Sequence, residues 1–359
     1  MRDILPNILA WIATRADAFG ARHGIPDEVL VGVGLIVVAF VVITIPMVMD
    51  IVLIYAERKW AADIQSRLGP TRTGGPFGWL QTVADALKLF QKEDIIPRAA
   101  DRLLFTAAPV LVFLPAAMAY LVIPWDRHAA ASDLNIGILY IAAVSSITVI
   151  GILLAGWASN NKWSLMGGLR SSAQLVSYEI PMALAIVSVV AQAGSLSMVE
   201  IVQSQSAALW HWNLFAHPSL WLAALIYFIA GTAEVNRTPF DIPEAESELV
   251  SGFHTEYTGM KFALFFMAEY ANMFLVCCIF ATLFLGGWHS PFGHYDTLVP
   301  GFVWFLLKAW VMVFVMIWVR WTLPRLRVDQ LMDFCWKVLI PAGLIAVAVA
   351  GSAAFLGAR

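Results

Sequence analysis

The sequence predicts an all-α polytopic membrane protein: a bundle of eight tilted transmembrane helices with amphipathic surface helices on the cytoplasmic side. Three observations carry this reading. Of 359 residues, 60% are hydrophobic and 13% charged, with mean hydropathy +0.76, which excludes a soluble globular domain. Apolar stretches of about 20 residues, the length that crosses a bilayer, recur along the chain. Lys and Arg cluster in alternate connections, as the positive-inside rule requires. Nothing points to nucleic acid, since 22 basic residues face 25 acidic ones.

The whole chain reads as a single integral membrane domain, 1–359. Residues 1–29 mix Arg2, Asp3, Arg15, Asp17 and Arg22 with apolar residues and lack a small-residue cleavage site. They predict an amphipathic surface segment rather than a signal peptide. Spans follow at about 30–56, 103–123, 136–157, 173–193, 218–235, 262–286, 301–321 and 337–356. The first is longer than a crossing needs and should tilt or project. The weakest is 218–235, which ends at Glu234. Trp60, Trp125, Trp157, Trp221, Trp288, Trp321 and Trp336 sit near span ends, as an interfacial belt would.

Orientation follows from base distribution. Arg58, Lys59, Arg67, Arg72, Lys88, Lys92, Arg98, Arg102, Lys162, Arg170, Arg237, Lys261, Arg320, Arg325, Arg327 and Lys337 fall on one side. Arg2, Arg15, Arg22, Arg127 and Arg359 fall on the other. The richer side is cytoplasmic, which puts both termini outside. Loops 124–135, 194–217 and 287–300 look plain, while the patterned ones (57–102, 158–172, 234–261 and 320–337) are cytoplasmic. No internal repeat is evident, which weighs against a secondary transporter. Cys277, Cys278 and Cys335 have no metal spacing, so no iron–sulfur cluster or other metal is expected in this chain; no flavin is expected in it either.

The first cytoplasmic loop opens with Glu57, Arg58 and Lys59, then turns through GPTRTGGPFG. Trp79, Leu80, Val83, Ala84, Leu87 and Phe90 recur at helical spacing, with Gln81, Asp85 and Lys88 on other faces. That is an amphipathic surface helix. It is either a structural loop clamped by ion pairs or a lid over an amphiphilic ligand arriving from the lipid. In WASNNKWSLMGGLRSSAQLVSYE, Gly167 and Gly168 precede a helix carrying Ser171, Ser172, Gln174 and, deeper, Glu179. Pro181 frees backbone carbonyls nearby.

The segment AEVNRTPFDIPEAESELVSGFHTEYTG sets Glu234, Asp241, Glu244, Glu246, Glu248 and Glu256 against Arg237 alone. Asp241-Ile-Pro-Glu244 resembles a helix start, which would put Glu244 and Glu248 on one face. Like charges this close titrate as a coupled set. The interleaved Phe240, Ile242, Leu249, Val250 and Phe253 argue against a freely solvated loop. Glu269, in the sixth span, enters the membrane from the same side as Glu179. Three helices therefore bring Glu179, Glu234 and Glu269 into the cytoplasmic half of the bilayer, where carboxylates are costly and usually functional. Lys308 is a candidate continuation toward the bilayer centre, and Asp50 a weaker one. In RWTLPRLRVDQLMDFCWK, Arg325, Arg327, Asp329 and Asp333 suit membrane anchoring better than partner docking.

Together these motifs resemble the H-subunit family of respiratory complex I. The match includes ERK at 57–59, GP at 69–70, PFG at 76–78, ADALKLFQKE, WASNNKW, LRSSAQLVSYE, AEVNRTPFDIPEAESELVSGFHTEY, FFMAEYANM and PRLRVDQLMDFCWK, in order over about 57–340. The resemblance implies a membrane subunit of a proton-translocating NADH:quinone oxidoreductase in a bacterial inner membrane. Its substrate would be ubiquinone or menaquinone. Its partners would be quinone-site subunits of the peripheral arm carrying iron–sulfur clusters, and the small and antiporter-like membrane subunits. By motif position, Glu57, Arg58, Gln65, Arg67, Asp85, Lys88 and Arg237 would line the quinone path. Glu179, Glu234, Asp241, Glu244, Glu246, Glu248, Glu256 and Glu269 would form the acidic channel. The turn GPTRTGGPFG is one residue longer than the family's usual form, so no role is carried to Arg72. Asp50 matches no family acid. The anchor subunit of an ion-pumping membrane hydrogenase is the nearest alternative, and a stand-alone ion-coupled transporter the next.

Overall fold

A computed structural model describes residues 27–127, 130–205, 208–242, 249–293 and 299–357. Among them are helices and two isolated bridges but no strand. The helices are α1 (Asp27–Ile64), α2 (Gln81–Gln91), α3 (Arg102–Ala119), α4 (Gly137–Ala158), α5 (Lys162–Ala193) and α6 (Met198–Ser204). They continue as α7 (Asn213–Ala216), α8 (Trp221–Glu234), α9 (Gly259–Phe284), α10 (Gly301–Thr322), α11 (Val328–Phe334) and α12 (Ile340–Gly357). Seven helical stretches are long and apolar enough to cross a bilayer, and Pro218–Glu234 is a shorter apolar one. The all-α polytopic class holds, and the span expected to be weakest is the short one.

The bundle is built around α9. Every residue from Met273 to Phe284 is buried, and a helix apolar on all sides belongs in a core. Helices α3, α10 and α1 pack on α9, while α4, α5, α8 and α12 complete the other side through α5. Helix α1 has 38 residues, so at 1.5 Å rise it spans about 57 Å, well beyond a hydrocarbon core of about 30 Å. It buries one narrow stripe, which includes Val38, Val42, Asp50, Leu53, Glu57 and Ala61. Its other faces expose Val33, Ile36, Val37, Phe40 and Val41.

Local chemistry sets the helix ends. The Asp101 carboxylate accepts from the N–H groups of Leu103 and Leu104 at the start of α3. Asn161 caps α5 through Trp163 N–H, and Gly194, at φ 74°, closes its C-terminus. Helix α5 therefore begins eleven residues before the expected span at 173. Gly167 and Gly168 lie inside it rather than ahead of it. A Cβ at Gly167 would fall 2.6 Å from the Gly252 backbone, and one at Gly168 would fall 3.3 Å from Gly156 Cα. The pair serves close backbone approach, not chain reversal.

Pro181 leaves the Ser177 carbonyl without its helical donor, and the Cys335 thiol donates to it at 3.1 Å. Cys335 opens a π-turn, Cys335–Leu339, between α11 and α12.

Three further expectations change. Trp125 and Trp288 are buried core residues, with Trp125 stacked near Tyr120 and Phe274, whereas Trp157, Trp221 and Trp336 are exposed as a belt requires. The 194–217 connection is not plain. It folds over the end of α9, where Gln205 donates to Ile201 and Thr282 carbonyls and accepts from Asn213 and Gly286 N–H groups. Lys308 belongs to the same cap. Its ammonium donates to the Leu285, Gly287 and His289 carbonyls and lies 3.8 Å from the Trp212 ring. It closes the end of α9 remote from Glu269 and does not extend an acidic route.

Candidate proton and quinone site

The site begins on the buried stripe of α1. Glu57, toward its C-terminal end, is 5% exposed. It accepts from Tyr270 Oη on α9 at 2.8 Å, from Arg237 Nη1 at 3.5 Å and from an Arg320 guanidinium N–H on α10. Three segments distant in sequence therefore converge on one carboxylate.

Arg237 is delivered by the turn that ends α8. Asn236 adopts φ 52°, Arg237 N–H donates to Thr232 O at 3.2 Å, and Phe240 N–H donates to Arg237 O at 2.9 Å. The side chain is 2% exposed. Its Nε lies 2.9 Å from Glu269 Oε1, and its guanidinium sits 4.2 Å from the Tyr270 ring centroid. Burial alone would lower its pKa, but Glu269, Tyr270 and Glu57 outweigh that and hold it above the usual arginine range. It is a permanent cation.

Beyond Arg237 lies a cavity of about 100 Å³, lined by apolar side chains and by Glu179, Glu234, Glu269, Asn236, Asn272, Ser145, Ser146 and His254. Each carboxylate comes from a different helix: α5, α8 and α9. Ser146 Oγ donates to Glu179. Gln174 fastens the α8–acidic loop corner to α5, donating to the Ala233 and Phe240 carbonyls, both at 2.8 Å, and to Asn236 at 3.2 Å. Burial pushes His254 down to about 4, so it stays neutral at ordinary pH.

The remaining candidates lie apart from this core. Arg58 pairs with Asp85, and Lys88 lies 3.6 Å from the same carboxylate, clamping α1 to α2. Tyr55 reinforces the clamp by stacking on Trp79 and donating to Phe77 O at 2.6 Å. The apolar face of α2 points outward, with Trp79, Leu80, Leu87 and Phe90 exposed. Gln65 and Arg67 bond one another at the exposed surface past α1. Asp241 pairs with Arg325 at 3.0 Å, so one arginine of the 320–337 loop braces the acidic segment. Glu256 accepts from Asn161 at 2.6 Å and does not line the cavity. Glu244, Glu246 and Glu248, with the expected helix start, lie outside the described residues. No group of three or more His, Cys, Asp or Glu suited to a metal occurs among the described residues.

Sequence reasoning missed Arg320, Tyr270 and His254 as site residues. Arg320 entered only the orientation tally, although it ends an apolar span. Tyr270 was adjacent to a recognised acid. Asp50 falls seven residues before Glu57, two helical turns along the same buried face.

A family described as NADH dehydrogenase matches residues 35–351. The chain belongs to the NADH dehydrogenase family. The NADH-quinone oxidoreductase H-subunit of Chlorobaculum parvum is 51% identical over 304 residues, 82% of this chain and 84% of the relative. The protein of the same name from Geobacillus kaustophilus is 51% identical over 81% of this chain and 85% of its own length. That from Bacillus cytotoxicus is 52% identical over the same shares. The family inferred from the motifs is the one these comparisons return, and the matched span covers every site residue described above. With seven long apolar helices, the chain is a multi-pass membrane member of that family.

Proposed function

We propose that this chain is the membrane subunit of a proton-translocating NADH:quinone oxidoreductase, which forms part of the quinone cavity and the acidic route that couples quinone reduction to pumping. The observation that carries the reading is the join between two sets of residues. Glu57, at the foot of α1, shares Arg237 with Glu269, and Glu269 opens into the cavity that also holds Glu179 and Glu234. A protonation event at or beside Glu57 therefore changes how far the fixed charge of Arg237 is neutralised on its cavity side.

A cavity of about 100 Å³ has room for several waters, which can link its carboxylates. The outward apolar face of α2 suits an isoprenoid tail arriving from the bilayer, while the Arg58–Asp85–Lys88 clamp presents polar groups to a head group. Electrons come from iron–sulfur clusters on partner subunits, since this chain supplies quinone and proton groups only. Small and antiporter-like membrane subunits cover its exposed apolar flanks. It acts as one membrane domain of a bacterial inner membrane, with both termini periplasmic by the positive-inside rule.

The test uses the assembled complex carrying Glu179→Gln or Glu269→Gln, with assembly checked first. Protons pumped per quinone reduced should fall in each. Wild-type pumping in both variants would remove the proton route from this chain. Quinone-site inhibitors without effect on the native complex would favour the hydrogenase-type anchor.

A further inference from the structure

Asp50 lies outside every role described so far. Its side chain is 2% exposed, and neither carboxylate oxygen has a hydrogen-bond partner among the described residues. It shares the buried stripe of α1 with Glu57, two turns or about 10 Å deeper in the membrane. Arg237 is within electrostatic reach of it, and the Arg237 Nη2 likewise has no hydrogen-bond partner among the described residues.

The other titratable neighbours offer Asp50 no compensating donor. Tyr120, at the end of α3, has Asp50, Cys277 and Cys278 around it, but its hydroxyl proton is committed to Ala271 O at 2.6 Å. Tyr270, on α9, donates to Glu57. Arg320, on α10, is held by Glu57, and the Asp85 and Lys88 charges of α2 are held with Arg58. Glu269 is committed to Arg237.

Charge counting then places a proton in the seam. Glu57, Glu269 and Asp50 are three carboxyl groups facing two guanidiniums, those of Arg237 and Arg320, while Asp241, which also acts on Glu269, is balanced by Arg325. A buried cluster of this kind is neutral only with one proton on one carboxyl, because an uncompensated buried charge is costly. Glu57 collects three donors and Glu269 an ion pair, which stabilise their charged forms. Asp50 collects none.

We propose that Asp50 is a proton-binding site at the deep end of this seam, exchanging its proton with the Glu57–Glu269 pair across Arg237. In the step, the O–H bond at Asp50 breaks and an O–H bond forms at Glu269 or Glu57. Arg237 stays protonated and shifts its ion pair to the new Asp50 carboxylate, so the seam's net charge is unchanged. This deepens the coupling role proposed above and rests on it.

The experiment uses the assembled complex in membranes, with Asp50→Asn and Asp50→Glu. The readouts are protons pumped per quinone reduced and the carboxyl C=O region of the infrared difference spectrum on quinone reduction. Asp50→Asn should lose most of the pumping and one carboxyl band, and Asp50→Glu should restore pumping with the band displaced. Wild-type pumping and an unchanged spectrum in Asp50→Asn would overturn the assignment. If Asp50→Asn fails to assemble, an undisplaced band in Asp50→Glu overturns it equally. A wild-type complex that does not couple quinone reduction to pumping defeats the underlying coupling role instead, so the two failures are distinguishable.

Discussion

The two ends of α9 bury charge in different ways. At the end beyond Phe284, Lys308 spends its three protons on three carbonyls, and Gln205 satisfies both its amide nitrogen and its oxygen twice. At the end that carries Glu269, charges outnumber their hydrogen bonds. Asp50 has no hydrogen-bond partner among the described residues, and one oxygen of Glu234 and two nitrogens of Arg237, Nη2 and the ion-paired Nε, are likewise without one. A fully satisfied buried network fixes a structure, whereas a partly satisfied one is costly and persists where it does chemistry. The first end ties its charge to backbone carbonyls, with the buried Trp212 Nε1 left unmatched beside it, and the second holds the carboxyl groups of the proposed proton route.

Substitutions separate the two. Lys308→Met should cost on the order of 5 kcal/mol, since three charge-assisted bonds go and three carbonyls stay buried. Its assembled complex should melt earlier in detergent while any surviving complex keeps wild-type pumping per quinone. Altered coupling at full stability would erase the contrast. Glu57→Gln should destabilise by about 3 kcal/mol, because it leaves Arg320 without its carboxylate and Arg237 with Glu269 alone. Unlike Lys308→Met, it should also lower quinone reduction, measured as turnover in the variant complex.

A third, milder probe is pH. The unfolded His254 ring takes a proton below its ordinary 6.5, while the folded one resists until about 4. Its contribution is therefore intact above pH 6.5 and lost at roughly 1.4 kcal/mol per unit as pH falls toward 4. Melting of the wild type at pH 5 against pH 7 should show this loss, and His254→Gln should flatten it. The smallest effect is expected for Cys335→Ala, which removes one thiol–carbonyl bond at the Pro181 gap, worth about 1 kcal/mol. A larger cost would mean that the π-turn depends on that bond.

The class of fold was legible because bilayer thickness imposes it on composition and on Lys/Arg placement. The meeting of Glu179, Glu234 and Glu269 was legible because each intramembrane acid is costly alone. Gly167 and Gly168 misled, because glycine at a backbone crossing looks like glycine at a turn. Lys308 misled because a cation within an apolar helix is the same letter whether it neutralises an acid or caps carbonyls. Arg320 and Tyr270 stayed hidden because their function depends on which helix faces which. That information lies in packing and not in local periodicity.

The guanidinium of Arg237 sits between Glu57 and the cavity lined by Glu179, Glu234 and Glu269. Arginine does not give up its proton in proteins. A hydronium diffusing along the passage meets a fixed positive plug of the kind that bars cations from water pores. On the proposed route a proton gets past it only by rearranging ion pairs, one event at a time, which would let the membrane be wired through this subunit without short-circuiting.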